Sequence, residues 1–124
     1  MKSIYIPVKQ NDKKVNNIQV YISYFLGTNS YYNNKPRGYY AYINPVEVIN
    51  HGSYSTISCC PFDSISVLLK EVKRKSKKSE TEAKSILKES LQDFVEKVLN
   101  KNDLQLEENF NLSDIINNID ELEI

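Results

Sequence analysis

The chain has few of the residues that mark the commonest functional sites. It contains no tryptophan, one histidine, two cysteines and three glycines in 124 residues. His51 and the adjacent pair Cys59 and Cys60 offer none of the spacings of a zinc site or a thiol active site. Three scattered glycines exclude a glycine-rich phosphate loop. We therefore expect no metal, no cofactor and no catalytic constellation, and hence a protein that is not an enzyme.

Long apolar runs are also absent. No window of the sequence is long and apolar enough for a membrane span, and residues 1–9 lack the apolar stretch of a signal peptide. Cys59 and Cys60 are neighbours in a predicted strand, so they point to opposite faces and are poorly placed for a disulfide. Free cysteines are typical of a reducing compartment. The sequence predicts a cytoplasmic protein that makes no contact with a membrane.

Charge is balanced in total but uneven along the chain. The 16 basic residues equal the 16 acidic ones. Basic residues crowd between Lys70 and Lys78, whereas the chain after Lys101 has no Lys or Arg and is acidic. A zero balance argues against a general nucleic-acid coat protein, which needs a surplus of cations to release counterions. A local site for an anionic ligand remains compatible with this pattern.

The first half of the chain has the alternating pattern of strands. Strands are predicted over residues 3–8, 15–26, 39–49 and 54–60, the first two as a hairpin. Pro45 interrupts the third strand and predicts a bulge or an edge position, because proline cannot donate to a ladder. All nine tyrosines lie in this half.

The second half has the spacing of helices. Asp63 or Ser64 can cap a first helix, whose apolar side would consist of Ile65, Leu68, Leu69 and Val72. A capping box at residues 79–82 predicts the start of a second helix that continues through Leu99. One long helix is the alternative, because the apolar stripe stays in phase. The last segment is predicted to be a short acidic helix or a frayed tail.

The order of these elements predicts the fold class. Strands followed by helices indicate an α+β domain, in which two helices pack on one face of an antiparallel sheet. A chain of this length suits one domain with one core. We expect a single domain over residues 1–124, with the sheet in 1–60, the helices in 63–99 and the acidic tail in 104–124.

The basic segment is the first candidate site. Arg74 and Lys78 are four residues apart and share one side of the predicted helix, together with Lys70 and Lys77. Such a pair can hold a phosphate or pyrophosphate, with Arg74 supplying planar, bidentate donors. The alternative is an ordinary solvated helix face. The motif taken alone favours this alternative.

Aromatic residues form the second candidate. In the third strand Tyr39 faces one way, while Tyr40 and Tyr42 face the other, so one of these faces is expected to be core. The other could stack on a nucleobase, an interaction worth roughly 1–3 kcal/mol per base. Phe62 lies at the predicted junction of strand and helix. It could stack on a ligand bound at the helix N-terminus or act as a hydrophobic staple.

Several of these residues together resemble a known family. Residues 38–47 (Gly-Tyr-Tyr-Ala-Tyr-Ile-Asn-Pro-Val-Glu), Phe62, the basic residues 74–78 and the opening residues 4–8 resemble the first type of Thoeris anti-defence protein, which phages and prophages carry. The likeness covers most of the chain but leaves out the acidic tail.

The resemblance implies a protein that sequesters a signal. Members of that family bind the cyclic ADP-ribose molecule made by a bacterial TIR-domain enzyme and hold it intact, which deprives an NAD-consuming effector of its activator. It also implies a homo-oligomer with sites between subunits, located in the cytoplasm of the infected host. Some members are described as binding cyclic oligonucleotides at a separate site.

The resemblance also implies a set of ligand-binding residues. Arg74 and Lys78 match the positions where the family contacts phosphates, and Phe62 matches an aromatic residue near the pocket. The remaining candidates are Lys77, Arg37, Tyr39 and Asn44.

Two other functions remain open. One is a small DNA-binding regulator that docks its basic helix on the duplex, which salt-dependent binding would reveal. The other is a module that inhibits a host protein through its tyrosine-rich face. An enzyme that cleaves the nucleotide is the least favoured hypothesis.

Overall fold

The computed structural model describes residues 1–27, 35–59 and 63–124, with Cys59 described by its backbone alone. These ranges contain a sheet, one long helix and two short 3₁₀ helices. In chain order they are β1 (Ile4–Pro7), β2 (Asn17–Phe25), β3 (Gly38–Asn50), β4 (Ser55–Cys59), β5 (Ile65–Glu71), α1 (Lys77–Asn102) and the 3₁₀ helices Leu112–Asp114 and Ile116–Glu121. The sheet is antiparallel and the helix packs on it, which confirms the predicted α+β class and all four predicted strands.

The long strand β3 organises the sheet. β2 pairs along one side of it, while on the other side β5 pairs with residues 38–43 and β4 with residues 46–50. Pro45 lies between these two partners, opposite Ile18 of β2. Among the described strands, β5 has ended and β4 has not yet begun at the level of Pro45. The N–H that proline lacks therefore has no ladder partner to serve on that side of β3. This explains how a proline is tolerated in a central strand.

The first predicted helix is wrong. Residues 65–71 form strand β5, with a bulge at the level of Tyr39 and Tyr40. Ile65, Val67 and Leu69 are alternate residues that are less exposed than Ser66 and Leu68, and Ile65 and Leu69 pack in the core on the helix side. The free side of β3 gives the backbone of this segment a ladder. The basic segment consequently spans the end of β5, a loop and the first turn of α1. Residues 70–76 do not form a basic helix.

The second predicted helix is confirmed as α1, but its start differs. Ser76 is the N-cap and forms a capping box with Ser79, so the box predicted at residues 79–82 begins three residues too late. The buried stripe agrees with the helical spacing and consists of Ser79, Ala83, Leu87, Leu91, Val95 and Val98. No helix in the described ranges combines the length and apolarity needed to cross a bilayer.

The core lies between α1 and one face of the sheet. Alternate residues of β1, β2 and β3 point into it, including Ile6, Ile18 and Ile43, all fully buried. Ile119 and Leu122 from the acidic tail close the core from the end. The tail is therefore packed rather than frayed, and its short helices are 3₁₀ helices rather than an α-helix.

Candidate ligand-binding groove

A groove opens where β1 and β2 diverge. β1 pairs with residues 17–20 of β2 only, so residues 21–25 have β3 as their one partner among the described strands. Ahead of β1, the chain meets the tail: the Glu123 N–H donates to Met1 O at 2.7 Å. The resulting groove has a volume of about 1070 Å³ and is lined by residues from both sides of this divergence.

Cations dominate the rim of the groove. Lys73, Arg74 and Lys75 line it from the loop before α1, and Lys2 lines it from the residues ahead of β1. Glu123 is the one carboxylate in the lining. The amino group of Met1 hydrogen bonds to that carboxylate at 3.0 Å, which lowers the pKa of Glu123. The lining therefore carries a surplus of positive charge near neutral pH.

Two predicted site residues hold the basic loop in place instead of lining the groove. Arg37 O accepts from Val72 N–H at 3.1 Å, and Arg37 Nη1 donates to Lys73 O at 3.2 Å. At the other end of the loop, Tyr39 Oη donates to Ser76 O and lies 2.9 Å from Ser79 Oγ. Lys73, Arg74 and Lys75 are thus presented by a loop that is fixed at both ends.

The groove cations differ in their partners from three lysines elsewhere in the chain. Lys70 pairs with Glu82, and Lys84 and Lys88 also have carboxylate partners. Among the described residues, Lys73 and Arg74 have no carboxylate within ion-pair distance, and Lys75 Nζ donates to a backbone oxygen, Ile124 O. The rim is available to an anion from outside.

An aromatic cluster supports one wall of the groove. The rings of Tyr21, which lines the groove, and Tyr42 stack at 5.0 Å with an interplanar angle of 14°. Lys35 Nζ donates to Tyr42 Oη at 2.9 Å and lies 3.9 Å from the ring centre of Tyr40. Burial raises the pKa of Tyr40, which the nearby Lys35 partly opposes. The stack supports the ring of Tyr21, and the cation–π contacts of Lys35 hold its neighbour Tyr42 and the ring of Tyr40.

Tyr24 is the anomalous residue of the groove. Its ring packs against Tyr39 at 5.0 Å, and the residue lines the groove. Its Oη atom is buried and has no hydrogen-bond partner among the described residues. A buried hydroxyl without a partner costs about 1–3 kcal/mol, so such groups are rare in folded proteins.

Only some of the predicted site residues line the groove. Arg74 and Asn44 both line it. Lys77 and Lys78 are exposed in the first turn of α1, outside the lining. Phe62 lies outside the described residues.

Tyr39 and Arg37 make structural contacts within the chain. Tyr39 is fully buried and both its ring and its hydroxyl are engaged, so it presents no face to a ligand. Arg37 is exposed and braces the basic loop.

Sequence reasoning missed part of the lining. Tyr21, Lys73 and Lys75 were not selected, because a helical interpretation of the basic segment directs attention to residues four apart. In a helix, three consecutive residues point in different directions. In the loop before α1, Lys73, Arg74 and Lys75 all line the groove. The run of three successive basic residues was the signal available in the sequence.

The described ranges contain no group of three histidine, cysteine, aspartate or glutamate residues that could hold a metal ion. Comparisons with protein-family models, curated proteins and solved structures find no match.

Proposed function

We propose that this protein binds a phosphate-bearing nucleotide in the groove and holds it intact, as a sponge for a cyclic ADP-ribose-type signal of Thoeris defence. One observation carries the proposal: three successive cations, Lys73, Arg74 and Lys75, line the same groove as Tyr21 and Asn44. The residues that resemble the anti-defence family supply the identity of the ligand. The groove supplies its chemistry, anionic in one part and flat in another.

The groove has the groups that such a ligand needs. Arg74 can hold a phosphate with two parallel hydrogen bonds, and Lys73 and Lys75 add charge on either side. Tyr21 and the amide of Asn44 lie in the lining where they can contact a base or a ribose. The volume is at the upper end of small-molecule sites, which span about 300–1,000 Å³. Sequestration requires affinity from these contacts, without an acid, a base or a nucleophile.

The proposal includes a homo-oligomer in the cytoplasm of an infected bacterium, with the signal held between subunits. The groove is compatible with this arrangement, because it is partly open to the outside of the chain. A second subunit would complete the enclosure that a tightly held nucleotide requires. A separate site for cyclic oligonucleotides remains an implication of the resemblance, without a residue assigned to it.

The location of the basic residues argues against the alternative of a DNA-binding regulator. That hypothesis needs a basic helix to dock on the duplex, and the basic residues before Ser76 lie in a strand and a loop. Three cations in a loop at the rim of a protein groove are better placed to bind a small anion than to dock on a DNA duplex.

A ligand-depletion experiment tests the proposed function. The purified protein is mixed with cyclic ADP-ribose or one of its glycosidic isomers and removed by filtration, and the free nucleotide is measured by mass spectrometry. We expect depletion, followed by release of the unchanged nucleotide when the protein is denatured by heat. Release of a cleaved product would mean an enzyme. No depletion with any isomer would overturn the proposal.

A further inference from the structure

The hairpin formed by the end of β3 and by β4 is an exposed part of the sheet. Every residue from Ile49 to Ser58 is exposed. Three large apolar side chains are among them: Ile49 is 37% exposed, Ile57 44% and Tyr54 61%. β4 stands at the end of the strand order, with β3 as its one ladder partner among the described strands. We call the side of β4 that faces away from β3 the β4 edge.

Backbone contacts show which groups of β4 point to this edge. Val48 N–H donates to Asn16 Oδ1 at 2.8 Å, and Val48 O accepts from Asn16 Nδ2 at 2.9 Å, so the backbone of Val48 points away from β4. Bonded and non-bonded pairs alternate in an antiparallel ladder. Ile57, the partner of Val48, is therefore not bonded to β3, whereas Thr56 is. By the same alternation, Ser55 and Ile57 direct their N–H and C=O groups to the β4 edge.

The β4 edge lacks the features that protect the other outer strands from pairing. Exposed edges are normally blunted by charged residues, proline or a covering segment. Among the described strands, β1 contains Pro7, and β5 ends in Lys70 and Glu71. β4 has neither a proline nor a charge, and residues 48–62 contain no Asp, Glu, Lys or Arg. The edge is therefore able to accept another strand.

The absence of charge indicates which strand the edge accepts. When a strand pairs with its own copy across a two-fold axis, each of its charges lies close to the same charge in the copy. Like charges across a strand pair are destabilising, so a self-pairing strand has to avoid them. An edge that pairs with a different protein can instead use charges that are complementary to those of its partner. An uncharged, exposed β4 therefore favours a second copy of this chain.

We propose that two copies of the chain form a two-fold dimer by antiparallel pairing of their β4 edges, which joins the two sheets into one. Ser55 lies opposite Ile57 of the partner subunit, because these residues direct hydrogen-bonding groups to the edge. The groove lies beyond β2, on the other side of β3, and no residue of β4 lines it. The inference gives the oligomer a surface and does not depend on nucleotide binding.

Sedimentation equilibrium of the whole chain without nucleotide, combined with amide hydrogen exchange, tests this dimer. We expect a monomer in dilute samples and a dimer in concentrated ones. The exchange of the Ser55 and Ile57 amides should slow at least tenfold when the dimer forms. The Thr56 amide, which is bonded to β3, is the internal control and should already exchange slowly in the dilute protein.

Three variants separate strand pairing from other modes of association. Ser55→Pro removes an N–H at the β4 edge without removing a bond to β3, and proline is tolerated at the first residue of a strand. Ile57→Lys places two like charges close together across the pair. Each should weaken dimerisation at least tenfold. Leu68→Lys, at a residue of β5 that is 37% exposed, is the matched control and should dimerise like the wild type. Wild-type dimerisation of Ile57→Lys would overturn the proposal.

A different protein is the competing occupant. A chain that stays monomeric at millimolar concentration would overturn the inference, and so would a dimer whose Ser55 and Ile57 amides exchange as fast as in the monomer. The nucleotide experiment is read independently. Dimerisation through β4 without nucleotide depletion would leave this inference standing and remove the proposed function. Depletion by a chain that does not pair through β4 would do the opposite.

Discussion

Two basic regions of the chain differ in how their charge is balanced. On the face of α1, Lys84 pairs with Glu80, and Lys88 pairs with Asp120 of the tail. In the loop before α1, Lys73 and Arg74 follow one another with no carboxylate partner in the described part of the chain. Lys84 and Lys88 are neutralised internally and need no ligand. The loop concentrates positive charge beside a groove.

The presence or absence of a carboxylate partner indicates which cations to consider as ligand-binding residues. Exposed ion pairs contribute little to stability, so the pairs on α1 are mainly a way of cancelling charge. The loop cations are uncancelled and are presented by a loop braced at Arg37 and Tyr39. Composition cannot separate the two regions, because lysines are abundant in both. The carboxylate partners of Lys84 and Lys88 separate these two lysines from the loop cations.

The largest expected effect comes from disturbing the strand pairing that presents the loop. A Cβ atom on Gly38 would lie 2.2 Å from Lys70 O and 2.9 Å from Glu71 Cα, both backbone atoms of β5. We expect Gly38→Ala to lower the free energy of unfolding by at least about 2 kcal/mol. Thermal and urea denaturation measure this loss.

Gly52→Ala is the matched control for that variant. Gly52 has a φ of +94°, but a Cβ atom there would meet nothing within 4 Å. Its cost should be limited to backbone strain, about 1–2 kcal/mol. A larger loss at Gly52 than at Gly38 would contradict the close approach of β3 and β5.

Two neighbouring tyrosines should respond to the same substitution with opposite signs. Tyr39→Phe removes the hydrogen bonds to Ser76 and Ser79 and should destabilise the protein by about 1 kcal/mol. Tyr24→Phe removes a buried hydroxyl that has no partner among the described residues, and should stabilise it by about 1 kcal/mol. Urea denaturation of both variants gives the comparison. A loss of stability in Tyr24→Phe would show that its hydroxyl is bonded in solution.

A smaller effect should depend on pH. Lys70 hydrogen bonds to Glu82 and lowers the pKa of that carboxyl below its ordinary value. The stabilisation from this pair is therefore complete above the unfolded pKa of about 4.3, and it is lost as the pH falls through the lower folded pKa.

The Glu82→Gln variant tests that dependence. The wild type should be more stable than the variant near neutral pH, and the difference should vanish in acid. Urea denaturation across the acid range measures the two curves. A difference that grows as the pH falls would contradict the assignment of the low pKa to Glu82.

The strands of the first half were predictable because their apolar residues alternate strictly, as in Ile4 with Ile6, and Ile18 with Val20. The segment after residue 63 was not. Ile65, Leu68, Leu69 and Val72 fit a helix, whereas Ile65, Val67 and Leu69 fit a strand, and a short apolar run satisfies both periods. The free side of β3 decides between them, and that side exists only in the folded sheet.

The candidate site was predictable only in part. Arg74 and Asn44 were selected from the sequence and line the groove, although they were selected for different reasons. Tyr39 was selected as an aromatic on a strand, and only the packing of α1 shows that it is buried. The groove arises from the divergence of β1 and β2, which no local pattern encodes.

The measurement that tests the central claim most directly is the affinity of cyclic ADP-ribose for two charge-matched variants, Arg74→Gln and Lys88→Gln, by calorimetry. If the uncancelled loop cations hold the ligand, Arg74→Gln should bind at least tenfold more weakly than the wild type, a change of about 1.4 kcal/mol. Lys88→Gln, whose cation is already paired with Asp120, should bind like the wild type. Equal affinity of the two variants would contradict the account, because the partners of a cation would then have no bearing on its role.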